Sequence, residues 1–252
     1  VSETKQVIIG GDIEKTLNGE FDFDLKQLFE QGWDITQTTK GVIVQSLLVI
    51  MAVVLVLVYS LISYIGIENI QSGGIELEPN TQFFVDIIST VVLAPLMTGV
   101  IMMGVNHSVG APSKLGNLFQ FVPQSLPIVL TSLLTGLVVQ LGLVLFILPG
   151  LYLMIATSFA LPLVVEKKMT PLRAIYASIK AVNHNAPKLI LLYVGFVGLF
   201  FVGFITFGIA LIWVAPLYYN IKGILYRDMF GITVTLTTDF KGNSKHESVF
   251  IA

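Results

Sequence analysis

Between Leu115 and Val165 the chain carries no Asp, Glu, Lys or Arg, and the same holds from Leu189 to Ile221 and from Gly41 to Ile67. Uncharged apolar runs of this length exceed any soluble core helix and match the roughly 20 residues that a helix needs to cross the hydrocarbon of a bilayer. The composition agrees: 54% of the 252 residues are hydrophobic and only 12% are charged, against about a quarter charged in a soluble domain. The expected fold class is therefore an all-α polytopic membrane protein.

The runs are too long to be three single crossings. Gly41 to Ile65 reads as span one, and Phe83 to Val105 as span two after a polar loop, Glu68 to Thr81. Leu148, Pro149 and Gly150 divide the longest run, because proline and glycine together end a helix and start a reversal. Spans three (Pro127 to Leu148) and four (Leu151 to Val165) result. The run from Leu189 would reach about 50 Å as one helix, beyond a hydrocarbon core of about 30 Å. It is expected to fold back near Thr206 to Gly208, giving spans five and six.

Basic residues mark the cytoplasmic side of short loops. With six spans all 14 fall on one side: before span one, at Lys114, between spans four and five, and after span six. Both termini are then expected in the cytoplasm.

A repeat is also legible. Apolar residues at helical spacing precede each odd span: Leu25, Leu28 and Phe29; Leu115, Leu118, Phe119 and Val122; Leu172, Ile175, Tyr176 and Ile179. Their start signals are Asp24, Pro112 with Ser113, and Thr170 with Pro171. Each even span carries Pro-Leu, at Pro95, Pro162 and Pro216. Three parallel copies of an interfacial helix and two spans are expected, over about 24–105, 113–166 and 171–227. The membrane domain is bounded at 24–231, with cytoplasmic tails 1–23 and 232–252. Trp33 and Tyr176 suit the headgroup zone as interfacial anchors. Alternation of Ile232, Val234 and Leu236 with threonines, and the β-branched run Gln6 to Ile9, predict strands that can pair into a small sheet.

Chemistry is sparse. The absence of cysteine excludes disulfides and thiolate sites, no metal or cofactor set is legible, and a net charge of -2 without a basic stripe excludes a nucleic-acid surface. Asp86 is the one carboxylate inside a span, Gln140 and Asn220 can hydrogen-bond across helices, and His184 is the one conceivable base. Lys222, Arg227 and Asp228 read as anchors reaching outward from the end of span six. Glycines at Gly99, Gly104, Gly195, Gly198, Gly203 and Gly208 are expected to let helices approach closely. Lys167, Lys168, Arg173, Lys180 and Lys188 form a basic connection able to attract anionic lipid headgroups.

Four segments, Leu148-Pro149-Gly150-Leu151-Tyr152-Leu153, Ala160 to Glu166, Ala174 to Asn185 and Tyr226-Arg227-Asp228-Met229-Phe230-Gly231, resemble the YciC-like bacterial inner-membrane proteins. They resemble equally the membrane domain attached to some glycerophosphodiester phosphodiesterases. The resemblance spans roughly 20–231 and implies a bacterial inner-membrane location, with no catalytic or binding residues to transfer. The expectation from sequence is a non-enzymatic scaffold or accessory subunit of a membrane assembly, with membrane lipids and other membrane proteins as partners. The alternative is a transporter or lipid-handling protein with a cavity on the repeat axis.

Overall fold

The computed structural model describes residues 3–65, 79–241 and 244–251; the polar loop as far as residue 78, with Gly73 and Gly74, lies outside them. Five helical segments are long and apolar enough to cross a membrane: Leu25–Tyr64, Asn80–Ser108, Leu115–Leu145, Ile147–Glu166 and Ala186–Ile205. Helix is the form such sequences must take, since hydrocarbon offers backbone groups no partner outside the segment.

After strand β1 (Glu3–Ile9) and the short helix α1 (Ile13–Leu17), helix α2 (Leu25–Ile65) runs unbroken for 41 residues. The Asp24 carboxylate accepts the Gln27 N–H at 2.9 Å, so the start signal acts as read. The expected interfacial helix is not separate, however, but the first turns of α2. At about 1.5 Å per residue the helix is about 60 Å long, so its polar first part, where Lys26 and Glu30 pair at 3.9 Å, must project beyond the hydrocarbon.

Helix α3 (Pro79–Ser108) carries Pro95 inside it. The second expected interfacial helix is instead two 3-10 turns, Leu115–Phe119 and Val122–Gln124. Gly116 within and Pro123 at the end leave too few good helix formers for an α-helix, and of the expected apolar face only Leu118 is buried.

Helices α4 (Ser125–Leu145) and α5 (Ile147–Ala156) meet at Phe146, whose backbone is extended. The reversal thus comes before Leu148. Pro149 sits in the first turn of α5, where its missing N–H costs nothing, so the proline opens the returning helix. A second interruption separates α5 from α6 (Ala160–Glu166). The Ser178 hydroxyl bridges it, donating to Ala156 O at 2.6 Å and accepting Phe159 N–H at 3.2 Å.

Ser178 belongs to α7 (Pro171–His184), which is amphipathic as expected. Of the expected apolar face Leu172 and Tyr176 are 70% and 66% exposed, while Ile175 packs inward with Ala174, Ala177, Ser178 and Ala181. Small side chains allow α7 to lie close on α6. Helices α8 (Ala186–Ile205) and α9 (Leu211–Phe230) form the expected hairpin, turning at Phe207 (φ 51) and Gly208 (φ 88), with Gly208 N–H bonded to Gly203 O at 2.9 Å.

Helix α9 packs against both α2 and α3. A Cβ on Gly223 would lie 2.1 Å from Gly104 O, and one on Gly104 would lie 2.1 Å from Tyr219 O. Gly99 meets the Leu118 backbone in the same way, but Gly195 and Gly198 have nothing within 4 Å and mediate no approach. Beyond α9, strand β2 (Ile232–Lys241) pairs antiparallel with β1, Val7 opposite Val234, and with β3 (Ser244–Ile251). Ile232 and Val234 are fully buried in the main core. Buried Glu166 pins this end by accepting from Tyr226 Oη (2.8 Å) and Thr233 N–H (3.1 Å) and pairing with Lys167 (3.2 Å).

Gly223→Ala is expected to destabilise the protein by about 1–3 kcal/mol through overpacking, read as a lower melting temperature in detergent. Gly195→Ala is expected to leave it unchanged or slightly raised.

Candidate functional site

Polar groups are expensive inside a bilayer and are paired when they serve structure. Asn220 on α9 follows that rule. Its Oδ1 accepts the Nδ1 proton of His107 on α3 at 2.9 Å, while its Nδ2 donates to Thr36 Oγ1 at 2.9 Å and Thr39 Oγ1 at 3.1 Å on α2. The group is a clamp across three helices. It realises the interhelical hydrogen bonding expected for Asn220, with partners that sequence spacing could not supply.

Two residues further along α9 the pattern breaks. Lys222 is only 9% exposed, yet no carboxylate among the described residues lies within 4 Å of it. The outward-reaching anchor read from sequence is corrected: the side chain lies within the bundle. Lys222 is the first charge after the uncharged run ending at Ile221, so its sequence position fits an anchor equally well, and only the packing shows which way the side chain turns. The ammonium lies 5.9 Å from the ring centroid of Tyr218, one turn back, a cation-π distance.

Lys222 lines a cavity of about 520 Å3, open on one side, between α3, α4, the α5–α6 interruption, α8 and α9. Its hydroxyls come from Ser132 and Thr135 on α4, from Thr157 and Ser158 in the interruption, and from Tyr193 on α8. Thr157 is occupied by Leu153 O at 2.8 Å, but Thr135 Oγ1 is buried without a partner. Tyr218 is held edge-on by Phe196 (5.2 Å) and Tyr193 (6.1 Å), which fixes an aromatic wall beside the ammonium. The rim is apolar and exposed at Met154 and Val197. The cavity therefore combines an apolar body, unused hydroxyl capacity and a single uncompensated cation.

The other expected site residues lie elsewhere. Asp86 is exposed on α3 and accepts Gln82 Nε2 at 2.9 Å, one turn away. Gln140 is exposed on α4 rather than bonded across helices. Trp33 is exposed on α2, and Tyr176 projects from α7. His184 is spent on Leu17 O at 3.2 Å. Arg227 Nη1 donates to Ser108 O at 2.6 Å, tying α9 to the end of α3. Of the basic connection, Lys167, Lys168 and Arg173 share a second cavity, Lys180 is half-buried outside it, and Lys188 bonds Asp22 and Phe23 O. Among the described residues, no group of three His, Asp or Glu side chains could hold a metal ion.

The hydrogen bond from Lys188, aided by the Phe23 N–H, holds the exposed Asp22 carboxyl below the usual carboxylate range. A depressed folded pKa stabilises above the unfolded value, about 4, and the contribution disappears as pH falls through the folded pKa. The melting difference between the native chain and Asp22→Asn is accordingly expected to be present at neutral pH and to vanish in acid.

Five membrane-length apolar helices make this a multi-pass membrane protein by length and composition. Compared with known proteins, the chain matches no protein-family model, no curated protein and no solved structure.

Proposed function

We propose that this chain is a six-span, non-enzymatic integral membrane protein that holds an acid-headed amphiphile, a lipid or fatty acid, in the Lys222 cavity. The observation that carries the reading is Lys222, a residue only 9% exposed with no carboxylate within 4 Å among the described residues, set in an apolar cavity with an exposed apolar rim. Leaving such a charge unpaired is strongly destabilising, and an anionic headgroup entering from the membrane supplies the missing partner while its tail occupies the apolar body. Lateral access suits a ligand that resides in the bilayer.

The span count supports the reading. Strand β1 precedes all the spans and β2 follows α9, yet the two are hydrogen-bonded neighbours. Their pairing needs both on one side of the membrane, hence an even number of crossings. Five segments qualify by apolarity, and α9, 20 residues long, is the sixth. The basic residues that flank the spans then lie on the cytoplasmic side of a bacterial cell, in keeping with the YciC-like resemblance, while the Lys222 side chain is turned into the bundle. In the three-copy reading the cavity draws on every copy, through Ile101, Thr135 and Tyr218 respectively, as a site near a pseudo-axis would.

A second reading, scaffold or accessory subunit, rests on the sheet order β1-β2-β3. Among the described residues it leaves an unpaired edge on each outer strand, to which a partner protein could add a strand.

Native mass spectrometry of the protein extracted in mild detergent tests the leading reading. The expected result is a stoichiometric acid-headed lipid or fatty acid on the native chain, weakened about ten-fold or more in Lys222→Met. Removing the unpaired charge is also expected to raise thermal stability of the ligand-free protein. Equal ligand occupancy in the two proteins, or a lipid-free native protein with a stoichiometric protein partner, would reject it.

A further inference from the structure

A second cavity of about 530 Å3 lies at the sheet end of the molecule. One wall is the α6–α7 connection with the first turn of α7; the other is the turn from β1 into α1, and Phe230 closes the side between them. The connection supplies three cations, Lys167, Lys168 and Arg173, to one concave space.

These charges are unequally spent. Lys167 is paired with buried Glu166 at 3.2 Å. The carboxylate on the opposite wall, Asp12, is engaged in capping α1, accepting Glu14 N–H at 2.7 Å. Lys168 and Arg173 have no carboxylate within 4 Å among the described residues. Lys168 also adopts φ 52, a left-handed conformation that costs a side chain bearing Cβ of order 1 kcal/mol. The turn is held by two bonds to Leu163 O, from Lys167 N–H at 3.2 Å and Met169 N–H at 3.4 Å. A glycine would satisfy that backbone without strain, so the lysine stands there against local preference. A guanidinium beside two ammonium groups matches the charge and oxygen geometry of a phosphate ester.

We infer that Lys168 and Arg173, with Lys167 beside them, form a binding site for a phosphate monoester, separate from the Lys222 cavity and independent of what occupies it. Arg173 lies on α7 one residue from exposed Leu172 and three from exposed Tyr176, which sets the cations beside an outward apolar face. The ester can belong to a lipid headgroup or to a free metabolite, since the recognising chemistry is the same.

The test uses the full chain in nanodiscs of phosphatidylcholine containing a small fraction of phosphatidic acid, with bound lipid measured by native mass spectrometry after gentle release. The native chain is expected to retain phosphatidic acid over phosphatidylcholine about ten-fold or more, as two surface cations allow. The preference is expected to be lost in Lys168→Gln/Arg173→Gln and kept in Lys180→Gln. Lys168→Gly is expected to melt higher, through relief of strain, and yet to bind phosphatidic acid more weakly, which a purely structural lysine would not do. Displacement of the lipid by millimolar glycerol phosphate would assign the site to free esters, and resistance would assign it to headgroups; either supports the proposal. No preference in the native chain, or an equal loss in Lys180→Gln, would overturn it. Because Lys222 is untouched in every variant, these outcomes are separable from those for the Lys222 cavity.

Discussion

Helix α9 is held against α2 and α3 by a contact with no room to spare. The backbones of Gly104 and Gly223 touch, and Asn220 joins His107 to Thr36 and Thr39. Lipid tails are as apolar as leucine, so burial alone does not drive helices together in a bilayer; close approach and interhelical hydrogen bonds do. The remaining features follow from that docking. It sets Lys222 facing the cavity, carries Tyr226 to Glu166, and delivers β2 to β1.

The two buried charged groups show opposite solutions to one cost. Glu166 receives a hydroxyl, a backbone N–H and a lysine, and joins α6, α9 and β2. Lys222 receives an aromatic face and, among the described residues, no carboxylate within 4 Å. The proposed ligand reading rests on this contrast between a buried charge met by the chain itself and one met only by an aromatic ring. That contrast, more than the volume of the cavity, separates a ligand site from a packing defect.

Much of the scaffold was legible because it follows from rules of short range. Charge-free runs gave the apolar helices, Asp24 the start of α2, and Thr206 to Gly208 the final turn. The reversal at Phe146 was misplaced to Leu148 because proline is tolerated in a first turn, so Pro149 marks a beginning rather than an end. The inward face of α7 was not legible because large apolar residues carry the periodic signal, while the close packing is made by Ala174, Ala177 and Ala181. The site was mostly hidden. Asn220 is visible as a polar residue in a span, but its partners lie far away in sequence, and Lys222 sits where an ordinary anchor would, so only its burial in the bundle distinguishes it. Asp86 and Gln140 drew attention by rarity alone and sit on exposed faces.

The most direct test of the account is an experimental structure of the protein in nanodiscs of native lipid, at a resolution that shows side chains. The account predicts elongated density in the cavity between α4, α8 and α9, with an acidic headgroup within salt-bridge distance of Lys222 Nζ and hydrogen-bonded to Thr135. A closed, empty cavity, or a Lys222 paired with a carboxylate of the chain itself, would contradict it.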